Sequence, residues 1–259
     1  GQPRRYQPQN AQPDRLLGRG LCLLQAVSEG HRSLPALVAH VGYTRSTTQR
    51  LVAALVQSRW LRQVPSDTYF LGPRFLELAQ RAQEDNPITV MARPTLRELG
   101  IKTRDTIHLG IRAEDDVLYL DKVNSQRGLE MRSRIGQRMP LALTGVGRAL
   151  LLDDRKSEWR RLYRCATRKG ASPDLWLERM HAYRDTGCVF DLEDNEPGIN
   201  CVAAPLRDGR GCIVAAISIA SATVYLPRPR MEELSPMVLD AAETISRQMG
   251  WKGQAHDMA

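Results

Sequence analysis

No C-x-x-C pair occurs in the 259 residues, and the five cysteines (Cys22, Cys165, Cys188, Cys201, Cys212) are an odd number. That excludes a zinc knuckle and gives no disulfide framework, so reduced, mostly buried thiols are expected. Long hydrophobic runs are missing too. The longest largely apolar stretch, Ile213 to Ala222, is about half of a membrane span. No N-terminal segment joins a basic flank to an apolar core, so a secretory signal is not expected and the expected compartment is the cytoplasm.

The motifs G-x-S-x-G, H-E-x-x-H and the P-loop are absent. Gly18-Arg19-Gly20 begins like a dinucleotide fingerprint, but Leu23 occupies the third glycine's position and no strand precedes it. An enzyme reading, a small-molecule hydrolase or transferase, must therefore use Cys201 or Ser218 as nucleophile with His108 or His181 as base. His31, His40, His181 and His256 show no partners at metal-ligand spacing, so neither a metal nor a cofactor is expected.

Lysine is absent from residues 1–85, which hold eleven arginines against six acidic groups, a net of +5. The other 174 residues carry only +3 of the total +8. Guanidinium groups contact phosphate and guanine bidentately, so a nucleic-acid module is expected in the first third of the chain.

Residues 1–13 are rich in Gln and Pro and read as a disordered tail. From Asp14 a helix carries Leu17, Leu21, Leu24 and Val27 at helical spacing and ends before Gly30. A second helix, N-capped by Ser33 with Pro35 in its first turn, stops at Gly42. A third, capped by Thr44, buries Leu51, Val52, Leu55 and Val56. Two short helices joined by a glycine turn make a helix-turn-helix. Trp60 to Val64 and Tyr69 to Leu71, with the turn at residues 65–67 between them, read as a hairpin wing, completing a winged helix-turn-helix over residues 14–72. Residues 73–86 read as a linker helix.

Residues 87–259 read as an α/β domain, so the whole chain is α+β. A helix (Ile88 to Leu99) precedes strands at Thr106 to Arg112, Val117 to Val123 and Leu129 to Ile135. Helices follow near Thr144, at Ser157 to Tyr163 and at Asp174 to Asp185. A hairpin (Asn200 to Leu206, Cys212 to Ala220) and a terminal helix (Met231 to Met249) complete it. That order suits a sheet with helices beside it, not a doubly wound parallel sheet.

The polar face of the third helix offers Arg45, Ser46, Thr47, Gln49 and Arg50 near its N-terminus, where such helices touch bases and phosphates. The run Ser46-Thr47-Thr48-Gln49-Arg50-Leu51-Val52, followed by Tyr69-Phe70-Leu71-Gly72, resembles the IclR family of bacterial transcriptional regulators. Three later blocks resemble it as well: Thr106 to Gly110, Ser133-Arg134-Ile135-Gly136 leading to Pro140, and Gly198 to Ser218. They look most like the family's regulators of sugar-acid catabolism, of the 2-keto-3-deoxygluconate repressor type. The resemblance implies a GAF-like effector-binding domain, dimers or tetramers, and a palindromic operator on double-stranded DNA.

It also implies a site for a small organic acid. Thr144 is an N-cap whose helix offers the free amides of Gly145 and Val146 to a carboxylate. In the family, Asp191, Cys201 and Ser218 face the same ligand, Asp191 as a hydroxyl acceptor. Gly145 stands where the family has Ala, which is expected to open space. Arg148 stands where it has Lys and is expected to point to solvent, as are Glu193 and Asp194. The remaining lining is expected to be small and apolar: Ala142, Ala203 and Ala216. His108, on an alternating strand, is expected to be a structural group.

Overall fold

The computed structural model describes residues 15–65, 67–84, 87–128, 131–167 and 172–253. The tail expected over residues 1–13 lies outside them. The chain divides into two compact units, residues 1–85 and 86–259.

In the first unit α1 (Arg15–Ser28), α2 (Leu34–Val41) and α3 (Arg45–Gln57) precede β1 (Leu61–Val64), β2 (Thr68–Leu71) and α4 (Pro73–Glu84). The caps fall where the sequence puts them. Ser33 Oγ accepts from the Ala36 amide, and Thr44 Oγ1 accepts from the Thr47 amide. Gly42, at φ 71°, ends α2 in the left-handed conformation that a side chain would strain. Antiparallel β1 and β2 form the wing, and a bridge from Ser33 to Thr68 ties it to the start of α2. Leu23, Leu24, Ala26, Val27, Leu37, Leu51, Val52, Leu61 and Tyr69 make the core.

One expectation for α1 fails. Leu17 and Leu21 are 60% and 55% exposed, while Leu23 and Ala26 are fully buried. The apolar arc of the helix between Leu16 and Val27 is wider than one packed face, so spacing alone does not choose which stripe packs.

The second unit is built on one antiparallel sheet in the order β5-β4-β3-β8-β7-β6. Its strands are β3 (Thr106–Ala113), β4 (Asp116–Val123), β5 (Arg138–Pro140), β6 (Val189–Leu192), β7 (Ile199–Arg207) and β8 (Ile213–Ala222). Alternation separates two cores. Ile107, Leu109, Val202, Ala204, Ile217 and Ile219 pack with α5 (Pro87–Thr103) and α9 (Arg228–Gln248). Cys201, Ala203, Ala216 and Ala220 pack instead with α6 (Gly145–Leu150), α7 (Lys156–Ala166) and α8 (Asp174–Thr186).

The strand expected at Leu129 to Ile135 is not one over its described part, residues 131–135. Its carbonyls serve a side chain, with Lys122 Nζ donating to Met131 O (2.7 Å) and Ser133 O (2.9 Å). Pairing with β4 starts only where Gly136 donates to Tyr119 O, and the edge strand is the short run Arg138–Pro140. The acidic segment at Asp191 likewise begins inside a strand, β6, whose four residues pair with β7.

Candidate functional site

In the first unit, Arg45, Ser46, Gln49 and Arg50 are exposed on the leading turns of α3. Spacing of four pairs Arg45 with Gln49 and Ser46 with Arg50 in two adjacent rows. Among the described residues neither arginine has an ion-pair partner, which leaves both guanidinium groups available to phosphate or guanine. Thr47 differs: it is half-buried, and its hydroxyl accepts from Thr44 Oγ1 at 2.8 Å. On the wing, Arg32 and Arg62 lie over the Phe70 ring at 4.4 and 4.8 Å.

In the second unit, Thr144, Gly145, Val146, Asp191, Cys201 and Ser218 all line one cavity of about 550 Å³ of atom-free space, part of it open to solvent. Register explains how they meet. Asp191 pairs with Cys201, Cys201 with Ala220, Ala203 with Ser218, and Ser218 with His108, all on one sheet face. Thr144 Oγ1 accepts from the Gly147 amide at 3.0 Å and so caps α6 over that face. The first-turn amides of Gly145 and Val146 have no carbonyl four residues back inside the helix.

A Cβ built on Gly145 would sit 2.5 Å from Cys201 Sγ. The space expected beside Gly145 is therefore filled by that sulfur, and the glycine permits the close approach of α6 to β7. Arg148 also departs from expectation. It is fully buried, donating Nε to Ala142 O (3.1 Å), Nη1 to Phe190 O (3.0 Å) and Nη2 to Leu143 O (3.1 Å). Its Nη2 pairs with Asp194 Oδ2 at 2.7 Å, and Arg179 Nη2 holds the same oxygen at 2.8 Å. Against the opposing effect of burial, Arg179 and Arg148 hold the Asp194 carboxyl down to about 2. Asp194 is thus a structural anion, not a solvated one. Glu193, by contrast, is exposed.

Asp191 is buried. Its Oδ1 accepts from the Asp194 amide at 2.9 Å, so it shapes its own loop. Burial, only partly offset by Arg148, pushes its carboxyl up to about 6. The expected alanines do not line the cavity. Ala142, Ala203 and Ala216 lie in the core, and Tyr119, Met131, Met139, Ile199 and Ala220 supply the apolar wall.

His108, read from the sequence as structural, also lines the cavity. Its Nε2 meets Ser133 Oγ at 2.7 Å and its Nδ1 meets Ser218 Oγ at 3.4 Å. The pairing of Thr106–Gly110 with Ser133–Gly136 in the sequence blocks was the available sign. Burial, with Lys122 adding to it, pulls His108 down to about 3, so it is neutral at physiological pH.

These values show no activated nucleophile at Cys201. His108 lacks the carboxylate that orients a catalytic base, and burial, then the Asp191 charge, pushes the Cys201 thiol up. His181 is engaged edge-on with Trp159, 5.2 Å between centroids. His31 and His40, read as lacking ligand partners, instead stand together with Glu29, their ligand atoms within 4.8 Å of one another.

A winged helix-turn-helix followed by a sheet domain with a polar cavity is the architecture of a DNA-binding regulator. The family models agree. Residues 16–65 match the IclR helix-turn-helix domain, and residues 80–247 match the bacterial transcriptional regulator IclR C-terminal domain. This chain belongs to the IclR family of transcriptional regulators. It is 32% identical over 237 residues to the HTH-type transcriptional regulator KdgR of Escherichia coli K12, covering 88% of this chain and 90% of that protein. The crystal structure of the Thermotoga maritima IclR superposes with a TM-score of 0.75 at 23% identity, covering 92% and 99% of the two chains. An IclR homologue from Microbacterium hydrocarbonoxydans complexed with 4-hydroxybenzoate gives a TM-score of 0.78 at 18% identity, covering 90% and 98%. No helix of the described residues is long and apolar enough to cross a membrane.

Proposed function

We propose that the protein regulates a catabolic operon in the cytoplasm, binding a palindromic operator as a homodimer or homotetramer and responding to a small hydroxylated or keto carboxylic acid. The convergence of Thr144, Gly145 and Val146 with Asp191, Cys201 and Ser218 on one cavity carries the reading. The Gly145 and Val146 amides supply donors to a carboxylate, and Arg132 on the same cavity wall adds a cationic one. Asp191 accepts from a ligand hydroxyl, and Ser218 and His108 serve the keto or hydroxyl oxygens. The Microbacterium homologue's ligand is likewise a carboxylate bearing a hydroxyl group. Leu16, Leu17 and Leu21, exposed on α1, favour contact with a second copy.

A thermal-shift screen of keto acids, aldonates and aromatic acids tests the effector. A binder at 100 times its Kd stabilises the chain by about 2.7 kcal/mol. A screen in which no carboxylic acid shifts the transition rejects the reading.

Arg50 tests the DNA face. If it reads a base, Arg50→Ala weakens specific binding by about 1–3 kcal/mol and relaxes specificity at that position. If it holds a phosphate, binding weakens on all sequences and the salt dependence flattens. Unchanged affinity in a gel-shift titration removes Arg50 from the interface.

A further inference from the structure

Three side chains with metal-binding atoms converge in the DNA-binding unit. Glu29 follows the last residue of α1, His31 lies in the connection to α2, and His40 is in the last turn of α2. A carboxylate oxygen and two imidazole nitrogens fall within 4.8 Å of one another. Glu29 Oε2 stands 3.6 Å from His40 Nε2. The His31 and His40 rings stack with centroids 4.0 Å apart and planes at 28°. The other carboxylate oxygen, Oε1, accepts from Gln25 Nε2 at 2.8 Å. The His31 amide donates to Ala26 O at 3.0 Å, which fixes the start of the connection to the end of α1.

The donor set selects a class of ion. A neutral imidazole presents one ring-nitrogen lone pair to a metal, so the two rings offer two such donors beside the carboxylate. Two imidazoles and one carboxylate suit zinc and its neighbours, whereas magnesium and calcium prefer oxygen alone. Zinc at about 2.0–2.1 Å in a tetrahedron holds its ligands about 3.4 Å apart. Closing the present separation takes about an ångström of side-chain rotation, which half-exposed groups make freely. The Gln25 bond is the outer contact such sites use to aim a ligating carboxylate. Three protein ligands leave a fourth position to water.

We propose that Glu29, His31 and His40 form a binding site for a zinc-class divalent transition-metal ion that fastens the end of α1 to the end of α2. Both helices contribute to the core on which α3 rests, through Leu23, Leu24, Val27 and Leu37 against Leu51 and Val52. An ion bound only to the folded unit stabilises the platform of the recognition helix. The competing arrangement is a plain ion pair between Glu29 and a protonated His40, with His31 stacked beside it and no ion.

The test uses the full chain after chelator treatment, titrated with cobalt(II) and followed by visible absorption, with zinc measured by competition. The expected result is one ion per chain with the bands of tetrahedral cobalt, no sulfur-to-cobalt charge-transfer band, and a higher thermal transition in zinc. Gln25→Ala is expected to weaken the ion by about 10–100-fold without changing the stoichiometry. The His31→Ala/His40→Ala double variant, with an unchanged far-ultraviolet circular dichroism spectrum, is expected to lose the bands. Absence of the bands in the parent chain overturns the proposal, as does their survival in the double variant. A charge-transfer band also overturns it, because it moves the metal to a cysteine.

Discussion

Replacing Arg148 with Met is expected to lower the unfolding free energy by about 3–5 kcal/mol, the range found when one partner of a buried ion pair is removed. Arg148 is fully buried and uses its donors on three backbone carbonyls and Asp194. Those carbonyls belong to Ala142 and Leu143, just before α6, and to Phe190 on β6. One guanidinium therefore fastens the start of the cavity-lining helix to the strand that carries Asp191. Methionine fills much of the volume but leaves Leu143 O without that donor, while Trp176 Nε1 still reaches Ala142 O and Arg179 still reaches Phe190 O and Asp194. Leaving a buried acceptor unmet costs about 1–3 kcal/mol, and a carboxylate left with one guanidinium in place of two adds to it. Arg148→Lys keeps the charge but lacks the planar fork, so it is expected to fall between. Urea unfolding gives the number, with an unchanged slope showing that only the native state is affected. A loss below about 1 kcal/mol would mean that Arg179 alone supports Asp194 and that the carbonyls rehydrate.

The first unit was legible because its signals are local. Ser33, Pro35, Gly42 and Thr44 each act within one turn, and the structure uses each as the chemistry requires. The exception, the stripe on α1, arises where the leucine arc is wider than the face that packs and only tertiary packing selects its buried part. In the second unit the strand pairs β3–β4 and β7–β8 followed from alternation. Arg148 was misread because α6 has six residues, too few for a periodicity, and its partners are carbonyls from distant segments that no side-chain pattern records. The segment around Met131 alternates like a strand, yet its carbonyls go to Lys122 and its Ser133 hydroxyl to His108. The Glu29, His31 and His40 grouping escaped because it is made by the turn between two helices, not by a spacing along one.

Asp191→Asn is expected to move stability and ligand affinity in opposite directions. The native carboxyl is buried and its pKa is raised to about 6, above the unfolded value. With the folded value raised, the contribution to stability is fully present below about pH 4 and is lost as pH rises through 6. Above that pH the folded chain carries a buried, disfavoured charge. Asparagine keeps a carbonyl oxygen to accept from the Asp194 amide, so the loop keeps its hydrogen bond while the charge is gone. The variant is therefore expected to gain about 2–4 kcal/mol over the parent between pH 4 and pH 8, read by urea unfolding at each pH. Under the proposed function the same charge accepts the effector's hydroxyl. Its loss costs about 1.5–3 kcal/mol of binding, some ten- to hundredfold in Kd by calorimetry at pH 8. A purely structural aspartate would give the stability change with an unaltered Kd, and the hydroxyl subsite would then lie elsewhere in the cavity. A parallel loss of both would mean that the loop had collapsed, which Asp191→Ala is expected to show because it removes the acceptor as well. Greater stability with weaker binding is the combination that assigns the buried charge to the ligand, since a site holding an unsolvated anion is less stable empty than its neutral replacement.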